Sequence, residues 1–121
     1  METGKNLVEK KDFVINYITD KVPIIPDSYS ISQADKFINK NVKQFDTIDY
    51  IYVVNNKNDL VGVFSIKDIF KHSGRIKVKE IMQKEIISVA PDVEQVRVAN
   101  LALTHGLKAI PILERNKLIG V

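Results

Sequence analysis

The chain contains two copies of one pattern, and this internal repeat restricts its fold more than any other feature of the sequence. When the copies are aligned, Pro26 and Asp27 of the first meet Pro91 and Asp92 of the second. The same alignment matches four apolar positions of one predicted helix with four of another: Ile31, Ala34, Phe37 and Ile38 with Val96, Ala99, Ala102 and Leu103. Each unit has one apolar sheet face, which it buries by packing against the other unit. The sequence therefore predicts a pseudo-symmetric pair of units within 121 residues.

The second copy is shorter than the first. The spacing between equivalent residues decreases before Leu-Val-Gly-Val at 60–63, which aligns with Leu-Ile-Gly-Val at 118–121. After residue 63 the first copy continues into a predicted helix, whereas the sequence given stops at Val121. We therefore expect an N-terminal helix and linker at 1–19, a first unit at 20–74, and a second unit at 75–121 that lacks its last helix. The core left open is expected to be filled by the amphipathic residues 13–18 or by a second chain.

Local patterns predict the order β-α-β-β-α for the first unit, which makes the fold mixed α/β (α+β). Residues 22–25 are β-branched and include a proline, as at a strand start or a sheet edge. Ser30 with Gln33 three residues later is a capping box that opens a helix ending near Asn41. Apolar runs at 50–54 and 60–65 predict a hairpin, and a second capped helix follows over 66–72.

The same patterns predict the second unit in a weaker form. We expect a strand at 86–89, a helix over 94–105 closed by Gly106, a strand at 109–113, a turn at 114–117 and a strand from Leu118. The segment between the two units, 78–82, is predicted to form one helical turn. The spacing of the apolar residues in 13–18 fits an amphipathic helix.

Composition excludes several classes of function. The chain has no cysteine, which removes disulfides, thiolate zinc sites and cysteine nucleophiles. A net charge of +3 without a basic stripe does not predict a nucleic-acid partner. No apolar stretch is long enough to span a bilayer, and residues 1–10 show no secretory signal pattern. His72 and His105 stand apart from other metal ligands, and no arrangement of nucleophile and base is visible, so no enzyme is predicted.

The combined pattern resembles a CBS domain pair. The resemblance is carried by the doubled unit, by Pro-Asp before the first helix, and by Leu-Val-Gly-Val-Phe-Ser-Ile-Lys-Asp-Ile at 60–69. Val-Lys-Glu-Ile-Met at 78–82 and Ala-Ile-Pro-Ile at 109–112 add to it. It covers residues 20–121 and implies a regulatory module that binds an adenine nucleotide such as ATP, ADP or AMP.

Within that family, the chain is similar to the cytoplasmic CBS region of MgtE-type magnesium transporters. An insert at 43–49 lengthens the first repeat and leads into Tyr-Ile-Tyr-Val-Val at 50–54, as in the first CBS motif of those transporters. Residues 93–99 resemble the start of their second-repeat helix. The resemblance implies a homodimer on the cytoplasmic face of the membrane, attached to a transmembrane domain whose transport it controls.

One segment combines the groups that bind a nucleotide. Between Gly62 and Asp68 a strand passes into a helix at Ser65, which brings backbone N–H groups and a helix N-terminus to one point and favours a phosphate. Asp68 can accept both hydroxyls of a ribose, and Lys67 supplies positive charge. The alternative is structural, because Ser65 and Asp68 also have the spacing of an ordinary capping box.

The resemblance favours the nucleotide interpretation, since a [Ser/Thr]-x-x-Asp step contacts ribose and phosphate in nucleotide-binding CBS pairs. It also implies a tyrosine of the middle strand, a basic residue before the aspartate, and an apolar residue beside the base. The predicted nucleotide-binding set is Val22, Tyr50, Ser65, Lys67, Asp68 and Leu107. Tyr50 fits equally well as an aromatic residue of the core.

Magnesium is the second ligand that the resemblance implies, and Mg²⁺ requires oxygen ligands. The weak metal candidates are Asp92 and Glu94, with Glu114, Asp46 and Asp49 as further carboxylates. No cofactor is required for the predicted role. Two alternatives stay open: an energy-sensing CBS pair that regulates an enzyme, and a structural dimerisation module without a ligand.

Overall fold

The structure is a computed structural model that describes residues 12–121. Most of the N-terminal segment predicted at 1–19 therefore lies outside the described residues. The first repeat contains β1 (Ile24–Pro26), α1 (Ile31–Asn41), β2 (Tyr50–Val54), β3 (Leu60–Ser65) and α2 (Ile66–Lys71). The second contains α3 (Gln95–His105), β4 (Ile112–Glu114) and β5 (Lys117–Gly120). Short 3₁₀ turns lie at Val14–Tyr17, Val42–Gln44 and Val78–Glu80.

The first repeat forms a three-stranded sheet in the order β1-β2-β3. β2 runs parallel to β1 and antiparallel to β3, with Tyr50 opposite Ser65 and Tyr52 opposite Val63. Side chains alternate between the two faces of a strand, so Ile51 and Val53 lie on one face of β2 and the two tyrosines on the other. The predicted hairpin over 50–54 and 60–65 is confirmed.

Helix α1 covers the face of the sheet that carries Ile51 and Val53. Its capping box is formed as predicted: the Gln33 N–H donates to Ser30 Oγ at 3.2 Å, and the Ser30 N–H donates to Gln33 Oε1 at 2.8 Å. The cap fixes the start of the helix and turns one apolar face toward the sheet. The buried core of this repeat comprises Ile25, Ile31, Ala34, Ile38, Ile51, Val53, Phe64, Ile69 and Val78.

The second repeat has less regular structure than its sequence predicts. The predicted strand at 86–89 is wrong for 86–88, since only Val89 pairs, through an isolated parallel bridge to Ile112. The predicted strand at 109–113 begins only at Ile112. Pro111 has no N–H to donate to a neighbouring strand, which explains the late start. The predicted closure of the helix at Gly106 is confirmed, with a left-handed φ of 65° at that residue.

The segment before β1 packs against the second repeat. It forms a four-residue 3₁₀ turn at Val14–Tyr17 in place of the predicted amphipathic helix, and only Val14 of that turn is buried. Its backbone bonds explain the difference: the Val14 N–H donates to Val93 O at 2.9 Å, while Thr19 and Val121 exchange N–H···O bonds of 3.1 and 2.9 Å. These partners lie outside the segment, so the chain is drawn away from helical geometry.

Candidate functional site

A cavity of about 320 Å³ lies at the junction of the two repeats. The first repeat contributes the start of β2, the end of β3 and the first turn of α2, while the second contributes the stretches 81–87 and 107–111. Its lining residues are Tyr50, Tyr52, Val63, Phe64, Ser65, Asp68, Ile81, Gln83, Glu85, Ile86, Ile87, Leu107, Ala109 and Pro111. The volume falls within the range of small-molecule sites, roughly 300–1,000 Å³.

The position of Ser65 and Asp68 in the wall of this cavity is fixed by a capping box. The Lys67 N–H donates to Ser65 Oγ at 3.2 Å, and the Ser65 N–H donates to Asp68 Oδ2 at 3.0 Å. The capping box, which was the structural alternative for Ser65 and Asp68, is therefore present. It uses only one carboxylate oxygen, and within residues 12–121 no partner is found for Asp68 Oδ1. The cap thus orients the carboxylate and leaves one oxygen free to accept hydrogen bonds from a ligand.

Tyr50 and Leu107 line the cavity from the two repeats, and hydrogen bonding joins their segments. The Lys108 N–H donates to Tyr50 Oη at 3.3 Å, and the Lys108 ammonium lies 3.8 Å from Asp49 Oδ1. The Tyr50 ring is therefore held between β2 and the loop that follows α3. Leu107 is half-buried in the same loop, and its position is set by the bond from its N–H to Ala102 O at 2.9 Å.

Two residues of the predicted site lie elsewhere. The cavity lining includes neither Val22 nor Lys67. Val22 is buried, at 4% exposure, and Lys67 is exposed on the first turn of α2. The repeat explains the first case, because the alignment of the two copies pairs Val22 with Ile87, which does line the cavity. The cavity therefore uses Ile87 of the second repeat in place of its first-repeat equivalent Val22, whereas Ser65 and Asp68 come from the first repeat.

The sequence reasoning missed most of the wall that the second repeat provides, including Gln83, Glu85, Ile86 and Ile87. Ile87 could have been found from the alignment of the repeats, where it is equivalent to Val22. The sequence reasoning also missed Tyr52, which is 2% exposed and lines the cavity. Tyr52 could have been found from its position two residues after Tyr50, because such residues share one face of a strand. Burial raises the pKa of the Tyr52 hydroxyl above its usual range, and the neighbouring Tyr50 and Asp49 act in the same direction.

The charged side chains of the cavity lining are all acidic. Its lining contains two carboxylates, Asp68 and Glu85, and none of the lining residues is a lysine, arginine or histidine. Lys67 and Lys108 are exposed, and each is adjacent in sequence to a lining residue, Asp68 and Leu107 respectively. The cavity therefore suits an apolar, flat group with hydroxyls better than a bare polyanion.

The predicted metal candidates do not come together. Within residues 12–121, no group of three or more His, Asp or Glu side chains is arranged to hold a metal ion. Asp92 is exposed, and Glu94 is the N-cap residue of α3 and forms a backbone bridge with Phe13. Among the other carboxylates, Asp46 accepts a bond from Thr19 Oγ1 at 2.6 Å, and Asp49 pairs with Lys108. None of the helices in the described part is long and apolar enough to cross a membrane.

Comparison with known proteins places this geometry in a family. The CBS domain family model matches the chain twice, at residues 12–75 and 78–121. The magnesium transporter MgtE of Thermus thermophilus is 29% identical over 105 residues, which cover 86% of this chain and 23% of the transporter. The inosine-5'-monophosphate dehydrogenase of Methanocaldococcus jannaschii is 29% identical over 94% of this chain and 22% of the enzyme. The chain thus spans under a quarter of either relative.

Solved structures give the same result. The cytosolic domain of the Mg²⁺ channel MgtE in complex with ATP superposes with a TM-score of 0.82 at 29% identity, covering 85% of this chain and 42% of that one. The soluble part of a magnesium transporter has a TM-score of 0.87 at 24% identity, and the match covers 96% of this chain and 46% of that one. The two matches to the family model, together with these folds, show that the chain is a tandem pair of CBS domains and belongs to the CBS domain family.

Proposed function

We propose that this CBS pair is the cytoplasmic regulatory module of a magnesium transporter and that an adenine nucleotide in the cavity controls it. The observation that carries the proposal is the unpartnered carboxylate oxygen of Asp68, held at the edge of an apolar cavity between the repeats. The likeness to the ATP-bound cytosolic domain of MgtE supports the choice of ligand and of parent protein.

Each part of a nucleotide has a counterpart in the cavity. The base enters between the apolar walls, with Leu107 and Ile87 on the side of the second repeat. The ribose hydroxyls donate to the free oxygen of Asp68, which its cap already orients. The phosphates extend outward, where Lys67 and Lys108 supply positive charge.

Control of transport follows from the position of the cavity between the repeats. A ligand that touches both repeats binds more tightly to the arrangement in which its two walls are close, and therefore shifts the population toward that arrangement. The module passes this preference to a transmembrane domain, and the coupling requires only different affinities in two states. Mg²⁺ enters as a second signal, because its complex with a nucleotide reduces the repulsion from Asp68 and Glu85.

Calorimetric titration of the chain with ATP, ADP and AMP tests the proposal. Asp68→Asn keeps an oxygen that accepts the Ser65 N–H and removes the charge and the free acceptor, so we expect affinity to fall by about 10- to 100-fold. The matched control is Glu80→Gln, because Glu80 Oε2 accepts the Lys77 N–H at 3.0 Å in the same pattern, and Glu80 is not part of the cavity lining. Absence of binding at millimolar nucleotide, or equal affinity in Asp68→Asn and the wild type, refutes the site.

We propose two protein partners: a second copy of this chain and the transmembrane domain of the parent protein. Phe70 of α2 is 80% exposed, and a partner surface that covers this side chain would remove apolar area from water, which favours association. Sedimentation velocity tests the dimer: we expect the wild type to sediment as a dimer and the Phe70→Ser variant to contain more monomer at the same concentration. A wild type that sediments only as a monomer would contradict it.

A second candidate function is control of an enzyme by a nucleotide-binding CBS pair. The observation in its favour is the match to an inosine-5'-monophosphate dehydrogenase over 94% of this chain. The rest of the parent sequence separates the two candidates, because several apolar segments of about 20 residues indicate a transporter. A chain that binds no ligand and still dimerises would instead be a structural module.

A further inference from the structure

Tyr52 occupies the inner part of the cavity wall. Its neighbours Ile51 and Val53 point into the core of the first repeat, so Tyr52 lies on the opposite face of β2 with Tyr50. It is 2% exposed, and it lines the cavity. The strand register places Tyr50 opposite Ser65 and Tyr52 opposite Val63. Tyr52 therefore lies two residues, or about 7 Å, further along the hairpin than the pair formed by Tyr50 and Ser65.

The hydroxyl of Tyr52 has no hydrogen-bond partner in the part of the chain that the structure describes. Two other tyrosines have partners: Tyr17 Oη donates to Asp12 Oδ1 at 2.5 Å, and Tyr50 Oη accepts from the Lys108 N–H. Tyr29 has none among the described residues, but it is only half-buried and lies outside the cavity lining. No fully buried side-chain oxygen or nitrogen of a described residue lacks a partner. The Tyr52 hydroxyl must then keep some accessible surface, and for a residue of the cavity wall that surface opens into the cavity.

A hydroxyl that has no protein partner and opens into the cavity must bond to water or to a ligand there. Phenylalanine would fill the same volume without placing a donor in the cavity wall. The Tyr52 hydroxyl thus offers the cavity a donor that the protein itself does not use. A ligand accepts from it where it places a polar atom against β2.

We propose that the Tyr52 hydroxyl donates a hydrogen bond to an acceptor atom on the heterocyclic base of the bound nucleotide, so that Tyr52 determines base specificity. The inference rests on the proposed function, since it requires the ribose at Asp68 and the base further inside. The separation of Tyr52 from the Ser65 pair along the hairpin is comparable with the distance from a ribose to the far edge of a purine. A tyrosine hydroxyl is protonated, and thus a donor, at neutral pH, and burial raises the pKa of the Tyr52 hydroxyl further.

The first test removes the hydroxyl alone. Tyr52→Phe is expected to weaken AMP binding about tenfold in calorimetry, with an unchanged or higher thermal midpoint without ligand. Tyr29→Phe is the matched control: Tyr29 packs against the core with its ring centroid 6.5 Å from that of Phe37, outside the cavity, and we expect its AMP affinity to equal the wild type. Unchanged AMP affinity in Tyr52→Phe overturns the proposal.

The second test removes the acceptor from the ligand. Wild type is titrated with AMP analogues in which one ring nitrogen at a time is replaced by C–H, at positions 1, 3 and 7 of the purine. One analogue is expected to bind about tenfold more weakly than AMP to the wild type and as well as AMP to Tyr52→Phe, since the two changes remove the same bond. Additive losses for all three analogues contradict the proposal, even if Tyr52→Phe is destabilised.

The two proposals fail in different ways. If the wild type binds no nucleotide, the proposed function falls and the role of Tyr52 falls with it. If Asp68→Asn weakens AMP binding while Tyr52→Phe leaves it unchanged, the nucleotide site stands and only the role of Tyr52 is refuted.

Discussion

One repeat position has opposite environments in the two halves, and this contrast gives a sharp prediction about stability. Ile38 of α1 and Leu103 of α3 are equivalent in the alignment of the two copies. Ile38 is 4% exposed and belongs to the core of the first repeat, whereas Leu103 is 80% exposed. None of the residues of α3 is buried, while α1 buries Ile31, Ala34 and Ile38.

The expected cost of truncation follows from this difference. Full burial of a leucine or isoleucine side chain contributes about 2 kcal/mol, so the buried fifth of Leu103 contributes about 0.4 kcal/mol. Ile38→Ala loses nearly the whole transfer term and leaves a cavity, for a total of about 3 kcal/mol. Alanine also has the higher helix propensity, which offsets part of the loss at Leu103. We therefore expect Leu103→Ala to change the free energy of unfolding by less than about 0.5 kcal/mol.

Urea denaturation with linear extrapolation measures both variants, at a protein concentration where the wild type sediments as a monomer. The reasoning is refuted if Leu103→Ala costs as much as Ile38→Ala, because α3 would then be packed in solution like its counterpart. A cost below about 0.5 kcal/mol for Ile38→Ala would refute the described core of the first repeat.

Two further predictions concern charge. Lys117 Nζ lies 2.5 Å from Asp59 Oδ1, and this hydrogen-bonded ion pair lowers the pKa of Asp59 from its ordinary value of 3.8. The ion pair therefore stabilises the folded state fully above pH 3.8, and this stabilisation is lost as the pH falls through the lowered pKa. We expect Asp59→Asn to lower the thermal midpoint at pH 7 and the difference to shrink below pH 4; a difference independent of pH would contradict this. Glu85→Gln should strengthen ATP binding about threefold at low salt and leave adenosine unchanged, and an equal effect on both ligands would argue against a charge effect.

The parts of the fold that the sequence predicts well are those specified by local patterns. The capping box of Ser30 and Gln33, the hairpin of β2 and β3, and the glycine closure of α3 each depend on residues close together in the chain. Their geometry is decided by short-range hydrogen bonds and turn chemistry.

The parts predicted poorly depend on contacts between the repeats. Residues 86–88 have strand-like composition, but Ile86 and Ile87 line the cavity and make no ladder. The segment 13–18 has helical spacing, but the Val14 N–H donates to Val93 O, and Thr19, the residue after the segment, bonds to Val121. Such long-range partners leave no pattern within a short window of sequence, since tertiary contacts override local preference.

The candidate site divides in the same way. Ser65 and Asp68 were found from their spacing, and Tyr50 and Leu107 from the family resemblance. Val22 and Lys67 were predicted as well, and the structure places both outside the cavity lining. Tyr52 was missed because its neighbours in the sequence are core residues and only the face of the strand distinguishes it.

The central claim is that the cavity between the repeats binds an adenine nucleotide, and a ¹⁵N-resolved NMR titration of the chain with ATP tests it most directly. The claim predicts saturable shifts that are largest for the backbone amides of Tyr50, Ser65, Asp68, Ile87 and Leu107. Shifts that stay absent up to millimolar ATP, or that are largest on α3 and spare these amides, would contradict it.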